Sequence, residues 1–269
     1  PASYCGVVGY KPSYGLISRS GVMRQSDKLD HIGVFGKTVE DVALFTKSLI
    51  KKDLYDPSTI HYAADEMLNV CKKGPIYEPK FIFYKTKNWK NIDKESQKSF
   101  DFFIKTFSKN IEVFDTPSYF DDIPKYHKII HETDMANNFQ GYYKKSKKSL
   151  SKEMVSAIER GLKYSAKEYA EAIDFMKRSY ESYKEVFEDF HGVLTPSSSG
   201  VAPKGLKSTG SPEFSTIWTY MGLPSISLPL LIGANNLPLG IQLVGDKLDD
   251  LRFLGVANWL EKNCKKYAK

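Results

Sequence analysis

Apolar positions recur along this chain with two periods, near two and near three and a half residues, and the switches between them mark out its elements. Thr38-Val39-Glu40-Asp41 has the hydroxyl-x-x-acid form that closes a helix N-terminus, and Val39, Val42, Phe45 and Leu49 then share one helical face. Residues 51–79 are broken by Asp56-Pro57, Gly74-Pro75 and Pro79, which predicts a connector with at most one short helix. The apolar run 80–84 predicts a buried strand, followed by a helix from about Asp93 to Phe107 and a strand at Ile111-Glu112-Val113-Phe114. Strand, helix and strand in that order are the repeating unit of an α/β sheet.

Residues 121–190 read as largely helical, most clearly over 166–190. Ser165 and Glu168 make a second capping pattern, and Tyr169, Ile173, Met176, Tyr180, Tyr183, Phe187 and Phe190 fall on one stripe, read as core packing rather than a ligand groove. Gly192 is expected to end that helix, and 192–196 to run as a strand into a Ser-, Gly- and Pro-rich loop over 196–212. A helix over Phe214 to Met221, strands at 225–229 and 239–244 joined across Asn235-Asn236, and a helix from about Leu248 to Lys262 complete the pattern. Leu251, Leu254, Ala257 and Leu260 point that last helix inward, and Asp249 and Asp250 stand at its positive end.

Composition narrows the function classes. The chain has 269 residues, 41% of them hydrophobic and 26% charged, in the range of a soluble globular protein. No apolar stretch is long enough for a membrane helix. The net charge of +7 raises nucleic-acid binding, but it is carried by scattered lysines, with arginine only at 19, 24, 160, 178 and 252. Arginine is the side chain suited to bidentate phosphate and base contacts, so a solvated lysine-rich surface is the expectation, and no nucleic-acid partner. Cys5, Cys71 and Cys264 are far apart and odd in number, which suits a reducing cytoplasm better than a disulfide framework or a zinc site.

Several motifs dissolve on inspection. The glycines at 6, 9 and 15 have neither phosphate-loop spacing, and are read as close packing about a strand and a turn. His127 and His131 would share a helix face, but Glu132 lies outside the pair and no third ligand is evident. No histidine accompanies a G-x-S-x-G elbow. Ser197-Ser198-Ser199-Gly200 follows a late strand, where loops border ligand sites in open α/β sheets, so it is expected at a pocket edge rather than in catalysis.

Two ordered stretches carry a family resemblance. The first is Pro1-Ala2-Ser3-Tyr4-Cys5-Gly6-Val7-Val8-Gly9-Tyr10-Lys11-Pro12-Ser13-Tyr14-Gly15, continuing through Leu29-Asp30 to Thr38–Ala43. The second runs from Leu194-Thr195-Pro196 through Thr209-Gly210, Phe214 and Trp218 to Gly222-Leu223-Pro224 and Leu239-Gly240-Ile241-Gln242-Leu243-Val244-Gly245. Together they resemble the amidase signature family, downstream of its nucleophile.

That resemblance implies a mixed, twisted β-sheet flanked by helices, with 1–269 forming the C-terminal portion of a single domain. It implies amide C–N hydrolysis by a Ser–cis-Ser–Lys mechanism, in which lysine acts as base through a bridging serine. It implies no cofactor and no metal. By motif position the triad falls before Pro1, so no catalytic residue is assigned within the chain, which is expected to be inactive alone and to fold poorly with sheet edges bare. Cys5, Asp30, Phe214, Ile217 and Trp218 are the implied pocket or structural residues. The expected partner is a small amide, with a homodimer as the expected assembly. A glutamine amidase resembling the A chain of an amidotransferase, and a non-catalytic family member, are the alternatives.

Overall fold

The computed structural model describes residues 1–264; the last five positions of the expected 1–269 domain lie outside the described residues. Its strands form one seven-stranded sheet: β1 (Val8–Lys11), β2 (Val34–Gly36), β3 (Phe81–Lys85), β4 (Ile111–Asp115), β5 (Gly192–Pro196), β6 (Ser225–Ile232) and β7 (Pro238–Val244). Their order across the sheet is β2-β1-β6-β7-β5-β3-β4. The three strands at the β4 edge run parallel, and the remaining pairs are antiparallel, giving the mixed sheet expected.

The helices are α1 (Ala2–Cys5), α2 (Val39–Leu49), α3 (Met67–Lys73), α4 (Lys94–Thr106), α5 (Ile123–Asn138), α6 (Gln140–Ser146), α7 (Lys152–Gly161), α8 (Ala166–Glu181), α9 (Val186–Asp189), α10 (Thr216–Met221) and α11 (Asp250–Cys264). Strand alternation sorts the core onto the two faces of the sheet. Phe81 and Phe83 of β3 join the cluster beneath α2, α3, α4 and α11, while Ile82 and Tyr84 join the one beneath α5, α8 and α10. Because both faces are covered, the first four residues of β3 are all buried.

Local chemistry sets the boundaries. The capping boxes at Thr38/Asp41 and Ser165/Glu168 both form, and Asp93 caps α4 through the Ser96 N–H. The β6–β7 connection bends through Asn235 and Asn236, both at φ 57, a left-handed conformation that asparagine tolerates better than most side chains.

Three helical expectations are corrected. The segment 166–190 is not one helix. It breaks after Glu181, because Tyr183 turns under the sheet to pack against Tyr84, Phe120 and Trp218, with Phe187 edge-on to Tyr183. Gly192 does not end a helix. It opens β5, where a Cβ would meet Leu243 Cδ1 at 2.7 Å. On α2 the buried face is Val39, Val42, Ala43 and Thr46, and Phe45 is exposed, so the helix is turned about one position from the face read off its large apolar residues.

The two ends of the chain meet at α11. Asp250, fully buried at the first position of that helix, accepts hydrogen bonds from Ser13 N at 2.9 Å, Ser13 Oγ at 2.6 Å and the Tyr10 hydroxyl. These bonds and the positive helix end hold a carboxyl whose pKa burial pushes up.

Candidate functional site

A cavity of about 280 Å³ opens beside the start of α1. One wall is Pro1, Ala2 and Ser3, another is Gly9, Tyr10 and Lys11 of β1, and Phe35 of β2 stands at the sheet edge. The floor is sheet: Ser225 and Ser227 on β6 and Gln242 on β7. The Ser-Ile-Ser-Leu alternation puts Ile226 and Leu228 in the core beneath α11 and turns both serines to the opposite face. Ser215, just before α10, and Thr219 within it close the cavity, while Ile217 and Trp218 turn into the core.

Hydroxyls dominate the polar lining and are tied together. Ser197 Oγ lies 2.8 Å from Ser227 Oγ, and Ser3 Oγ lies 3.0 Å from Ser198 Oγ while accepting the Gly240 N–H at 2.8 Å. Ser198 Oγ gives its own proton to the Gly200 carbonyl, so Ser3 is the donor in that pair. Gly240 makes this convergence possible: a Cβ there would meet Ser227 Oγ at 2.7 Å and Ser197 Oγ at 2.9 Å. Gln242 Nε2 is fixed by Thr195 Oγ1 at 3.0 Å and the Phe214 carbonyl at 2.9 Å.

Lys11 is the cation of this lining and donates to the Leu223 carbonyl. Burial lowers its pKa to about 7, with Asp250 opposing. Between about 7 and 10.5 the folded protein therefore holds fewer protons than the unfolded chain, so stability gains as pH rises through that window. Subtracting a Lys11→Met variant isolates the effect: the wild-type-minus-variant stability should climb across that window in urea titrations, and a flat difference would contradict it. Among the described residues, no wall hydroxyl is hydrogen-bonded to a lysine or histidine, the contact that activates a nucleophile. The cavity as it stands is equipped to bind and orient.

The five residues expected from the family pattern are not gathered here. Cys5 ends α1 as an exposed free thiol. Asp30 is half-buried, its Oδ2 accepting the Gln25 and Ser26 N–H groups at 2.7 and 3.1 Å. Phe214, Ile217 and Trp218 are buried in the two cores flanking the sheet, and Phe214 reaches the cavity only through its carbonyl on Gln242. Ser197, from the loop expected at a pocket edge, lines this cavity. Lys11, Ser215, Thr219, Ser225, Ser227 and Gln242 are absent from the sequence expectation, although hydroxyls at alternate positions of an apolar strand signal a polar face. His127 and His131 stack with ring centroids 5.9 Å apart, and burial, then His131, lowers the His127 pKa to about 4. Among the described residues no group of three His, Cys, Asp or Glu side chains is placed to hold a metal ion.

Comparison with known proteins places this geometry. The sequence model of the Amidase family matches residues 1–254. The A chain of glutamyl-tRNA(Gln) amidotransferase from Alkaliphilus metalliredigens is 28% identical over 97% of this chain, and its counterpart from Ruminiclostridium cellulolyticum is 30% identical over 93%. The chain spans only 60% and 58% of those two relatives. Among solved structures, a 6-aminohexanoate cyclic dimer hydrolase superposes with TM-score 0.80 at 19% identity, covering 98% of this chain and 62% of that one. The corresponding amidotransferase chain from Thermotoga maritima superposes with TM-score 0.75 at 25% identity, covering 98% and 59%.

Proposed function

Because the chain belongs to the amidase family, we propose that the protein hydrolyses amide C–N bonds and that the cavity beside α1 is part of its amide pocket. The observation that carries this reading is the meeting of two matched stretches. Residues following the family's nucleophile position, Pro1 to Ser3, stand against Ser197, Thr219 and Gln242 from the closing pattern. A nucleophile set by a Gly-Gly-Ser-x-Arg element ahead of Pro1 would open onto this lining. The wall hydroxyls and Gln242 would then orient the amide, while lysine and bridging serine come from that same preceding region.

Two results are expected. Residues 1–269 alone should release no ammonia above a blank from glutamine or simple aryl and alkyl amides. The same chain joined to its preceding coding sequence should release it, with loss on substituting that element's serine. Serine-dependent turnover by the 269 residues alone would overturn the division of labour, and preceding sequence lacking the element would overturn the catalytic reading in favour of a non-catalytic family member.

A second reading, a glutamine amidase acting as one component of an amidotransferase, is favoured by the names of the two curated relatives at 28% and 30% identity. Turnover of glutamine far above simple amides, together with a co-purifying partner protein, would select it. Among the described residues no helix is long and apolar enough to cross a membrane. Three unpaired thiols support a reducing cytoplasm. A homodimer belongs to the same proposal, and sedimentation at the mass of one chain would remove it.

A further inference from the structure

A second cavity, of about 610 Å³, lies between α8, the C-terminal end of α10 and the Tyr14 turn. It falls within the roughly 300–1,000 Å³ of small-molecule sites. Helix α10 separates it from the first: Ser215 and Thr219 face that cavity, Tyr220 and Met221 this one. Three of the seven residues of the stripe read as core, Ile173, Met176 and Tyr180 on α8, form its wall, while Tyr183 and Phe187 beyond that helix are buried beneath the sheet.

The chemistry of the lining is uneven. Its tyrosine hydroxyls are occupied elsewhere: Tyr220 donates to the Ala172 carbonyl at 2.6 Å, Tyr180 to Asp246 at 3.0 Å and Tyr14 to the Asp27 carbonyl. Their rings, with Ile173, Met176 and Met221, therefore present an apolar body. The charged groups of the lining are Lys28, Lys177, Lys247 and Glu181. Glu181 is paired with Lys184 at 2.6 Å, whereas no ion pair among the described residues involves any of the three lysines. Lys247 is drawn inward over the Tyr180 ring, 5.4 Å from its centroid. Nearby, His31 packs edge-on to Tyr14, and burial, then Lys11, Arg19 and Lys247, push its pKa well down.

We propose that this cavity binds an organic anion with an apolar body, of the class of a medium-chain carboxylate. The body lies on the Ile173, Met176 and Met221 wall and the head meets Lys177 and Lys247, neither of which is in an ion pair among the described residues, although Glu181 of the same lining acts on Lys247. The site is independent of amide hydrolysis.

Octanoate is the probe, octanol its uncharged control, and the methionine methyls are the reporters. Met176 and Met221 line the cavity, while Met23, Met67, Met135 and Met154 do not. Octanoate titrated into the protein should shift the Met176 and Met221 methyl resonances saturably and leave those of Met23, Met67, Met135 and Met154 in place. Octanol should bind about tenfold more weakly, the loss of one charge-assisted contact. Lys177→Gln with Lys247→Gln should weaken octanoate by about the same factor and leave octanol unchanged. Should that pair fail to fold, Lys177→Gln alone, away from the inward-drawn Lys247, should still weaken octanoate and leave octanol unchanged. Equal binding of octanoate and octanol, shifts spread over all six methionines, or octanoate affinity unchanged in the lysine variants would overturn the proposal.

Discussion

Trp218→Ala is expected to lower unfolding stability by about 3–5 kcal/mol, while Thr219→Ala, one position along the same helix, should change it by only about 0.5 kcal/mol. The contrast follows from the direction of each side chain. Trp218 is 1% exposed, with ring centroids 5.9 Å from Phe120 and 6.0 Å from Tyr183, and sits where α10 meets the underside of the sheet. Truncation leaves a void walled by rings that are themselves packed and cannot collapse into it. Thr219 faces the first cavity, so its loss should weaken ligand binding without unfolding the chain. Denaturation midpoints at unchanged m-value would measure the difference. A Trp218→Ala cost near 1 kcal/mol, far below the roughly 3–5 of a packed ring, would show that the indole is a replaceable pocket wall instead of a packing element.

Asp250→Ala should cost a comparable amount, about 3–5 kcal/mol, through a different mechanism. The substitution removes one acceptor group and leaves three buried donors unanswered: Ser13 N, Ser13 Oγ and Tyr10 Oη. Asp250→Asn keeps the shape but turns an N–H₂ toward a donor, so it should fall between wild type and alanine. The pH dependence has a definite sign. Burial raises the carboxyl above its ordinary value of about 3.8, so just above that pH the folded protein holds more protons than the unfolded chain. Wild-type stability from this group is therefore complete below about 3.8 and is lost as pH rises through the folded value. The stability difference between wild type and the Asp250→Asn protein, measured by urea titration, should decline with pH across that window. A rise would show that the hydrogen bonds outweigh burial.

The regular elements were legible where one physical signal dominated. Capping boxes at Thr38 and Ser165 fixed two helix starts, and the apolar run ending at Tyr84 fixed a strand covered on both faces. Misreadings came where tertiary packing overrode local pattern. Phe45 is the larger apolar side chain, but the close approach of α2 to β2 and α3 favours Ala43 and Thr46 inside. The α8 stripe continues in sequence past Glu181, but burial of Tyr183 beside Tyr84 and Trp218 bends the chain out of helix. Strand β2, only three residues long, leaves no periodic trace. For the site, the family pattern led toward large apolar residues such as Phe214 and Trp218. The cavity itself is built from small hydroxyls whose roles depend on which strand face they occupy. Lys11 illustrates the limit, since a lysine between tyrosine and proline carries no sign in sequence that its charge is buried.

The bonding of Ser13 to Asp250 joins positions 237 residues apart. During synthesis on the ribosome, β1 cannot acquire its β6 neighbour until the long stretch of chain between Gly9 and its partner Ser227 has been made. Closing so long a loop comes late and slowly. Nascent chains should therefore pass through a prolonged interval with β1 partnered on one side only, the stage at which chaperone engagement would matter most for yield.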